Sequence, residues 1–170
     1  MRIVLTFTGR DKPGIVHQLA EVVRAHGGNW QDSRMARLAG RFAGILDVLI
    51  ADEYEASFRT GLATLEGQGV RFLVDAGTNS LLPAQRRIRL ECTAMDRPGI
   101  IQAVTEVMVG HNITITELST SSMETPMAGG FLFRATAILA VADDLDTSQL
   151  HQDLEGIAND LLVELHEDHT

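Results

Sequence analysis

Apolar and polar residues alternate at the start of the chain, where Ile3, Leu5 and Phe7 share one face, and again where Ile88, Leu90 and Cys92 do. A period of two marks a strand with one buried face. Beyond a Pro-Gly pair the period lengthens. Ile15, Leu19, Val22 and Val23 fall at i, i+4, i+7 and i+8, and Ile100, Val104, Val107 and Met108 repeat that spacing. Each set is one apolar stripe on a helix. The pattern predicts a first helix ending at Gly27-Gly28, strands over about 29–38 and 41–50 joined by a turn at Ala39-Gly40, and a helix within 54–68 carrying Phe58, Leu62 and Leu65. A last strand is expected at 70–75. The second half predicts strands near 86–94, 113–122 and 130–142. A helix there carries Leu150, Leu154, Ile157 and Ala158, with Asp146 or Thr147 as its N-cap, and a strand follows near 161–167.

The two halves are one pattern written twice. Residues 2–26 and 87–111 align without a gap at an offset of 85, with 11 of 25 positions identical. The identities include an Asp, a Pro and a Gly in register, which shared composition does not explain. An internal repeat decides the architecture. The expected fold class is α+β: two tandem ferredoxin-like βαββαβ modules, each a four-stranded antiparallel sheet with two helices on one face. The modules are expected at 1–75 and 86–170, with a linker over 76–85. After the first helix, Asn29 pairs best with Asn112, which needs a two-residue shift, and the second copy has a longer connection at 123–130.

Composition narrows the function classes. The 170 residues carry 14 Lys and Arg against 23 Asp and Glu, a net charge of −9. That balance opposes direct contact with nucleic acid or an anionic membrane surface. The opening stretch does not read as a signal peptide. Nothing approaches the ~20 apolar residues that cross a bilayer. A single cysteine, Cys92, allows no internal disulfide and suits a reducing cytoplasm.

Each copy places Asp-basic-Pro-Gly between strand and helix: Asp11-Lys12-Pro13-Gly14 and Asp96-Arg97-Pro98-Gly99. One reading is structural. Proline suits a first helical turn and the aspartate caps it, with the Gly14 amide as the natural donor to Asp11. The other reading is functional: free amides at a helix N-terminus hold an anion such as a carboxylate, while an Asp or Asn side chain meets an ammonium. That combination suits a free amino acid.

Bland readings fit the other chemistry-bearing residues. Cys92 lies on the apolar face of a strand and reads as buried. His26 and His111 sit at helix ends, where histidine interacts well with the terminal carbonyls. His166 and His169 read as a solvated tail, Asp143, Asp144 and Asp146 as a turn and cap, and Met123 and Met127 as a loop or a soft contact surface. No nucleophile–base pair, metal spacing or phosphate-binding glycine loop is present, so neither an enzyme, a metal nor a cofactor is expected.

A strand running into D-[KR]-P-G-I, then an apolar helix ending in a small or polar residue plus Asn, resembles the ACT domain over the whole chain. The resemblance implies a regulatory module that binds amino acids at interfaces between modules, through the β1–α1 turn and the start of β2. Carried over, the ligand positions are Asp11, Pro13, Gly14 and Asn29 in the first copy and Asp96, Pro98, Gly99 and Asn112 in the second. Two such modules without a DNA-binding domain look most like the glycine cleavage system transcriptional repressor family. That resemblance implies a protein that answers to an amino acid such as glycine; the open edges of ferredoxin-like sheets lead to the expectation of a homodimer, and the lone cysteine to that of a cytoplasmic one. It implies action on a protein partner, either a transcriptional activator or, as a detached regulatory subunit, a metabolic enzyme. Two departures stand out. Gly-Gly-Asn-Trp replaces the commoner Asn-Ile, so Trp30 is expected to narrow one pocket. The 123–130 loop is expected to cover the other or to meet a partner.

Overall fold

The structure is a computed structural model that describes residues 1–78, 85–125 and 129–168. Its elements run β1 (Arg2–Arg10), α1 (Ile15–Ala25), β2 (Asn29–Leu38), β3 (Arg41–Leu49), α2 (Glu55–Glu66) and β4 (Val70–Ala76). They continue as β5 (Arg86–Met95), α3 (Ile100–Gly110), β6 (Thr114–Glu124), β7 (Phe131–Val141), α4 (Thr147–Glu155) and β8 (Leu162–Glu167). A short 3₁₀ turn at Asp52–Tyr54 leads into α2. The backbone forms two units, Met1–Leu81 and Leu82–Thr170. The sheets have strand orders β2-β3-β1-β4 and β6-β7-β5-β8, with every pair antiparallel. Each unit is therefore the expected ferredoxin-like module. Most of the expected linker, residues 79–84, lies outside the described residues.

Each sheet buries one face under its own two helices. In the first unit Ile3, Leu5, Phe7, Leu46 and Val48 meet Ile15, Leu19 and Val23 of α1 and Phe58, Leu62 and Leu65 of α2. In the second, Ile88, Leu90, Cys92 and Leu139 meet Ile100, Val104, Met108, Leu150 and Leu154. These are the residues that the periods of 2 and 3.6 select. The β2–β3 turn needs positive φ at both central residues, and Ala39 (φ 48°) and Gly40 (φ 75°) supply it. Trp30 lies against the first core, with Met35 and Phe42. It is a half-buried packing residue.

The ends of α1 and α3 correct the repeat alignment. After α1 the Gly28 amide donates to the Val23 carbonyl and the Gly27 amide to that of Arg24. After α3 the Ile113 amide donates to Met108 and the Asn112 amide to Val109. Both are the Schellman arrangement, whose turning residue sits at positive φ. Gly27 (φ 66°) fills that place in one copy and Asn112 (φ 54°) in the other. Strand register agrees: Asn29 opposes Leu49 and Thr114 opposes Ala140, while Leu49 opposes Arg2 and Ala140 opposes Arg87. Asn29 is therefore equivalent to Thr114, and the offset of 85 continues without the expected two-residue shift. Each strand then carries one extra residue, between Trp30 and Ser33 and between Ile115 and Glu117, so the offset survives the bulge.

Candidate functional site

The two Asp-x-Pro-Gly turns adopt one conformation. Gly14 (φ 91°, ψ −4°) and Gly99 (φ 93°, ψ −3°) are themselves the N-caps of α1 and α3, in left-handed geometry. Their carbonyls accept the first helical hydrogen bonds, from the Gln18 amide at 2.9 Å and the Ala103 amide at 3.0 Å. A Cβ built on either glycine meets nothing within 4 Å, so the space above each is open.

This geometry overturns the capping reading of the aspartates. Neither helix start receives a side-chain cap. Pro13 and Pro98 stand one residue before the caps, outside the first helical turn. The glycine takes the cap position, and the aspartate three residues earlier turns to the neighbouring hairpin. The Asp11 amide donates to the Gly40 carbonyl (3.1 Å), and its carboxylate pairs with Arg37 at 3.0 Å. The Asp96 amide donates to the Phe131 carbonyl (2.7 Å), and its carboxylate accepts from the Ser122 hydroxyl at 2.6 Å. Arg37 and Ser122 are themselves 85 residues apart, so both turns are tethered to the same point of β2 and β6. Sequence reasoning missed this pair. Arg and Ser do not match as letters, and only counting through the hairpin at constant offset finds them.

With no side-chain cap, the first-turn amides of α1 and α3 are left to meet an acceptor from outside. The contrast is α4, where Asp146 accepts from the Ser148 and Gln149 amides at 2.9 and 3.2 Å, as the sequence predicts. Around the first turn, Asp11, Lys12, Gly14, Val16, His17 and Phe42 line a shallow depression. The helix dipole and unmet N–H groups make that spot favourable for an anionic oxygen.

The carried-over ligand positions do not all converge. Asp11, Pro13 and Gly14 cluster at one end of α1, and Asn29 lies beyond its other end, at the far end of β2 from Arg37. Eight residues of strand span roughly 25 Å. Asp96, Pro98 and Gly99 are likewise separated from Asn112 by the length of α3. Asn112 is exposed and serves its helix end through its backbone.

Cys92 is fully buried, and burial pushes its thiol pKa up to about 11, which suits packing and not nucleophilic attack. His26 Nδ1 lies 2.8 Å from the Val22 carbonyl in the last turn of α1, with its ring edge-on to Phe58. His111 instead reaches Asp153 of α4 at 2.7 Å. That contact, with a further hydrogen bond from Gln149, holds the Asp153 carboxyl below its ordinary range. Met123 is exposed on β6, while Met127 and His169 lie outside the described residues. Among the described residues no three His, Cys, Asp or Glu side chains gather as a metal site, and no helix is long and apolar enough to cross a membrane.

Residues 1–68 match the ACT domain. The glycine cleavage system transcriptional repressors of Escherichia coli K12 and Shigella flexneri are each 28% identical over 122 residues, covering 68% of this chain and 62% of theirs. The match therefore spans less than two thirds of those relatives. A crystal structure of an unknown protein from Galdieria sulphuraria superimposes with a TM-score of 0.82 at 26% identity, covering 98% of both chains. Another, of a protein provisionally assigned as a glycine cleavage system transcriptional repressor, gives a TM-score of 0.73 over 98% of both chains. At 17% identity that likeness concerns the fold.

Proposed function

We propose that this chain, whose residues 1–68 match the ACT domain and which is similar to the glycine cleavage system transcriptional repressors, is a cytoplasmic, non-enzymatic regulator that binds a free amino acid and acts by contact with a protein partner. The observation that carries this reading is the pair of duplicated turns. Each has an uncapped helix start beneath open space and an aspartate fixed beside it. The amides suit the ligand's carboxylate, and the aspartate suits its ammonium. A small ligand is favoured, because the glycine leaves room for close approach and the depression is shallow. Glycine is the amino acid that the relatives' name suggests, and a transcriptional activator is the partner.

The separation of turn and β2 start bears on assembly. One small ligand touches both only when the turn of one module meets the strand start of another, within the chain or between two copies. The proposal takes the second course, a homodimer in which binding favours one arrangement of copies, which exposes or hides the partner surface. The direct test is calorimetric titration of the full chain with each common amino acid, alongside Asp96→Ala and Gly99→Ala. Saturable binding of one amino acid, weakened in both variants and accompanied by no turnover, is the expected result. Failure of every amino acid to bind at millimolar concentration would overturn the sensor reading.

A further inference from the structure

The first module carries an unpaired cationic groove on the other side of its β1–α1 turn. Arg10 at the end of β1, Lys12 in the turn, Arg41 at the start of β3 and Arg71 at the start of β4 line it, with Gln18, Glu66 and Gln68. The depression is open and measures about 780 Å³. Arg10 and Arg41 are direct cross-strand partners, and Arg71 opposes Thr8 on the other flank of β1. Like charges placed directly opposite each other destabilise a sheet. Among the described residues none of the four cations has a carboxylate partner; Arg41 reaches only the Thr8 hydroxyl, at 3.4 Å.

The second module shows that the fold does not require these cations. By strand register Arg10 corresponds to Met95, Arg41 to Leu132 and Arg71 to Leu162. Lys12 corresponds to Arg97, which is neutralised by Asp160 at 2.9 Å. Asp160 stands two residues before Leu162. The residue two before Arg71 is Gly69, so the first module lacks that carboxylate. Charge is divided in the same sense. Residues 1–81 hold nine Lys and Arg and nine Asp and Glu, a net of zero, while residues 82–170 hold five and fourteen, a net of −9.

We infer that the groove formed by Arg10, Lys12, Arg41 and Arg71 is a binding site for a small phosphate-bearing anion, separate from the amino-acid position beside Asp11 and Gly14. Four cations against Glu66 leave a formal charge of +3, which matches an oxyanion with two or three negative charges. Arginine forks bind phosphate oxygens two at a time. Three arginines converging from three strands suit a pyrophosphate group or a phosphate ester better than a single carboxylate. The inference does not depend on the amino-acid reading: Lys12 borders both depressions, but Arg10, Arg41 and Arg71 line this one alone, and the ligand is different.

The test uses the full chain and pyrophosphate as probe, with citrate at equal ionic strength as the polycarboxylate comparison. Titration calorimetry should give saturable pyrophosphate binding that falls about tenfold in Arg10→Gln and in Arg71→Gln, as expected for loss of one charged hydrogen bond. Arg59→Gln, which removes an exposed pair with Glu55 on α2, should leave it unchanged. Arg71→Leu, the residue used at the equivalent place in the second module, should behave as Arg71→Gln does. A second readout separates binding from folding. Without pyrophosphate and at low salt, Arg10→Gln should raise the urea midpoint of the first module, because a repulsion is relieved. A lowered midpoint would make the arginine structural and overturn the inference. So would absence of binding at millimolar pyrophosphate, binding unaffected by the arginine variants, or preference for citrate.

Discussion

Substituting Gly14 separates what the turn owes to backbone torsion from what it owes to space. Its φ of 91° lies where side chains are disfavoured, yet a Cβ there meets nothing within 4 Å. Placing an L-residue in left-handed geometry costs roughly 1–2 kcal/mol. Replacing glycine also removes freedom from the unfolded chain, which returns about 0.4–1 kcal/mol. Gly14→Ala should therefore destabilise the first module by about 1 kcal/mol, or about 4–8 °C in Tm for a domain of this size. Gly14→Asn should cost less, since asparagine tolerates this region. Gly44 on β3 is the opposite case. Its φ is not positive, but a Cβ would lie 2.6 Å from Met35 Cγ, 2.9 Å from Phe7 Cε1 and 3.0 Å from the Arg34 carbonyl oxygen. Gly44→Ala should cost about 3 kcal/mol, the upper part of the overpacking range, and Gly44→Asn more still. Urea unfolding followed by the fluorescence of Trp30 reads this directly, since the only tryptophan packs against the first core. Asparagine as costly as alanine at position 14 would refute the torsional argument. Gly44→Ala milder than Gly14→Ala would refute the packing of β2 on β3.

Cys92 should make the second module lose stability as pH rises through the window between the ordinary thiol value of 9.0 and about 11, because the unfolded thiol ionises while the buried one stays protonated. The loss is on the order of 2 kcal/mol, and urea titrations of Cys92→Ala against the parent at pH 8 and 11 should show it absent from the variant. Asp153 has the opposite sign. Its lowered pKa contributes stability at neutral pH that is lost as pH falls past 3.8, so Asp153→Asn should flatten the acid limb of a Tm-against-pH curve. Leu139→Ala, at a fully buried site on β7, should cost about 3 kcal/mol, measured by loss of circular dichroism in urea; a cost under 1 kcal/mol would contradict its place in the core.

The layers of the fold were legible because burial imposes a period. Ile15, Leu19 and Val23, or Ile3, Leu5 and Phe7, announce their faces without any knowledge of neighbours. The turns were legible as turns but not in their mechanics. Asp11 and Pro13 look like a capping pair, since the sequence gives no sign that Gly14 itself would take the cap in left-handed geometry. Asn29 and Asn112 look equivalent because they are the same letter. In the structure the true counterpart of Asn112 is Gly27, and the two share tolerance of positive φ and nothing else. Identity of residue type misleads where the backbone selects for conformation.

The same distinction explains why the two modules fold alike and yet differ in character. Several features they share answer a demand of the backbone: a glycine at each helix start, a residue tolerant of positive φ at each helix end, an aspartate tethering each turn to the same point of the neighbouring strand. Some of the features in which they differ lie at exposed positions on which no period acts. Arg71 and Leu162 occupy the same register place beside β1 and β5, and both sheets close around them. A position that accepts a charge in one copy and a leucine in the other is not chosen by folding. The carboxylate that neutralises Arg97 in the second module is absent beside Lys12 in the first, so those cations remain available to a ligand. Duplication thus supplies an internal control: what both copies keep belongs to the architecture or to a site common to both, and what only one copy keeps is where differences in binding are to be sought.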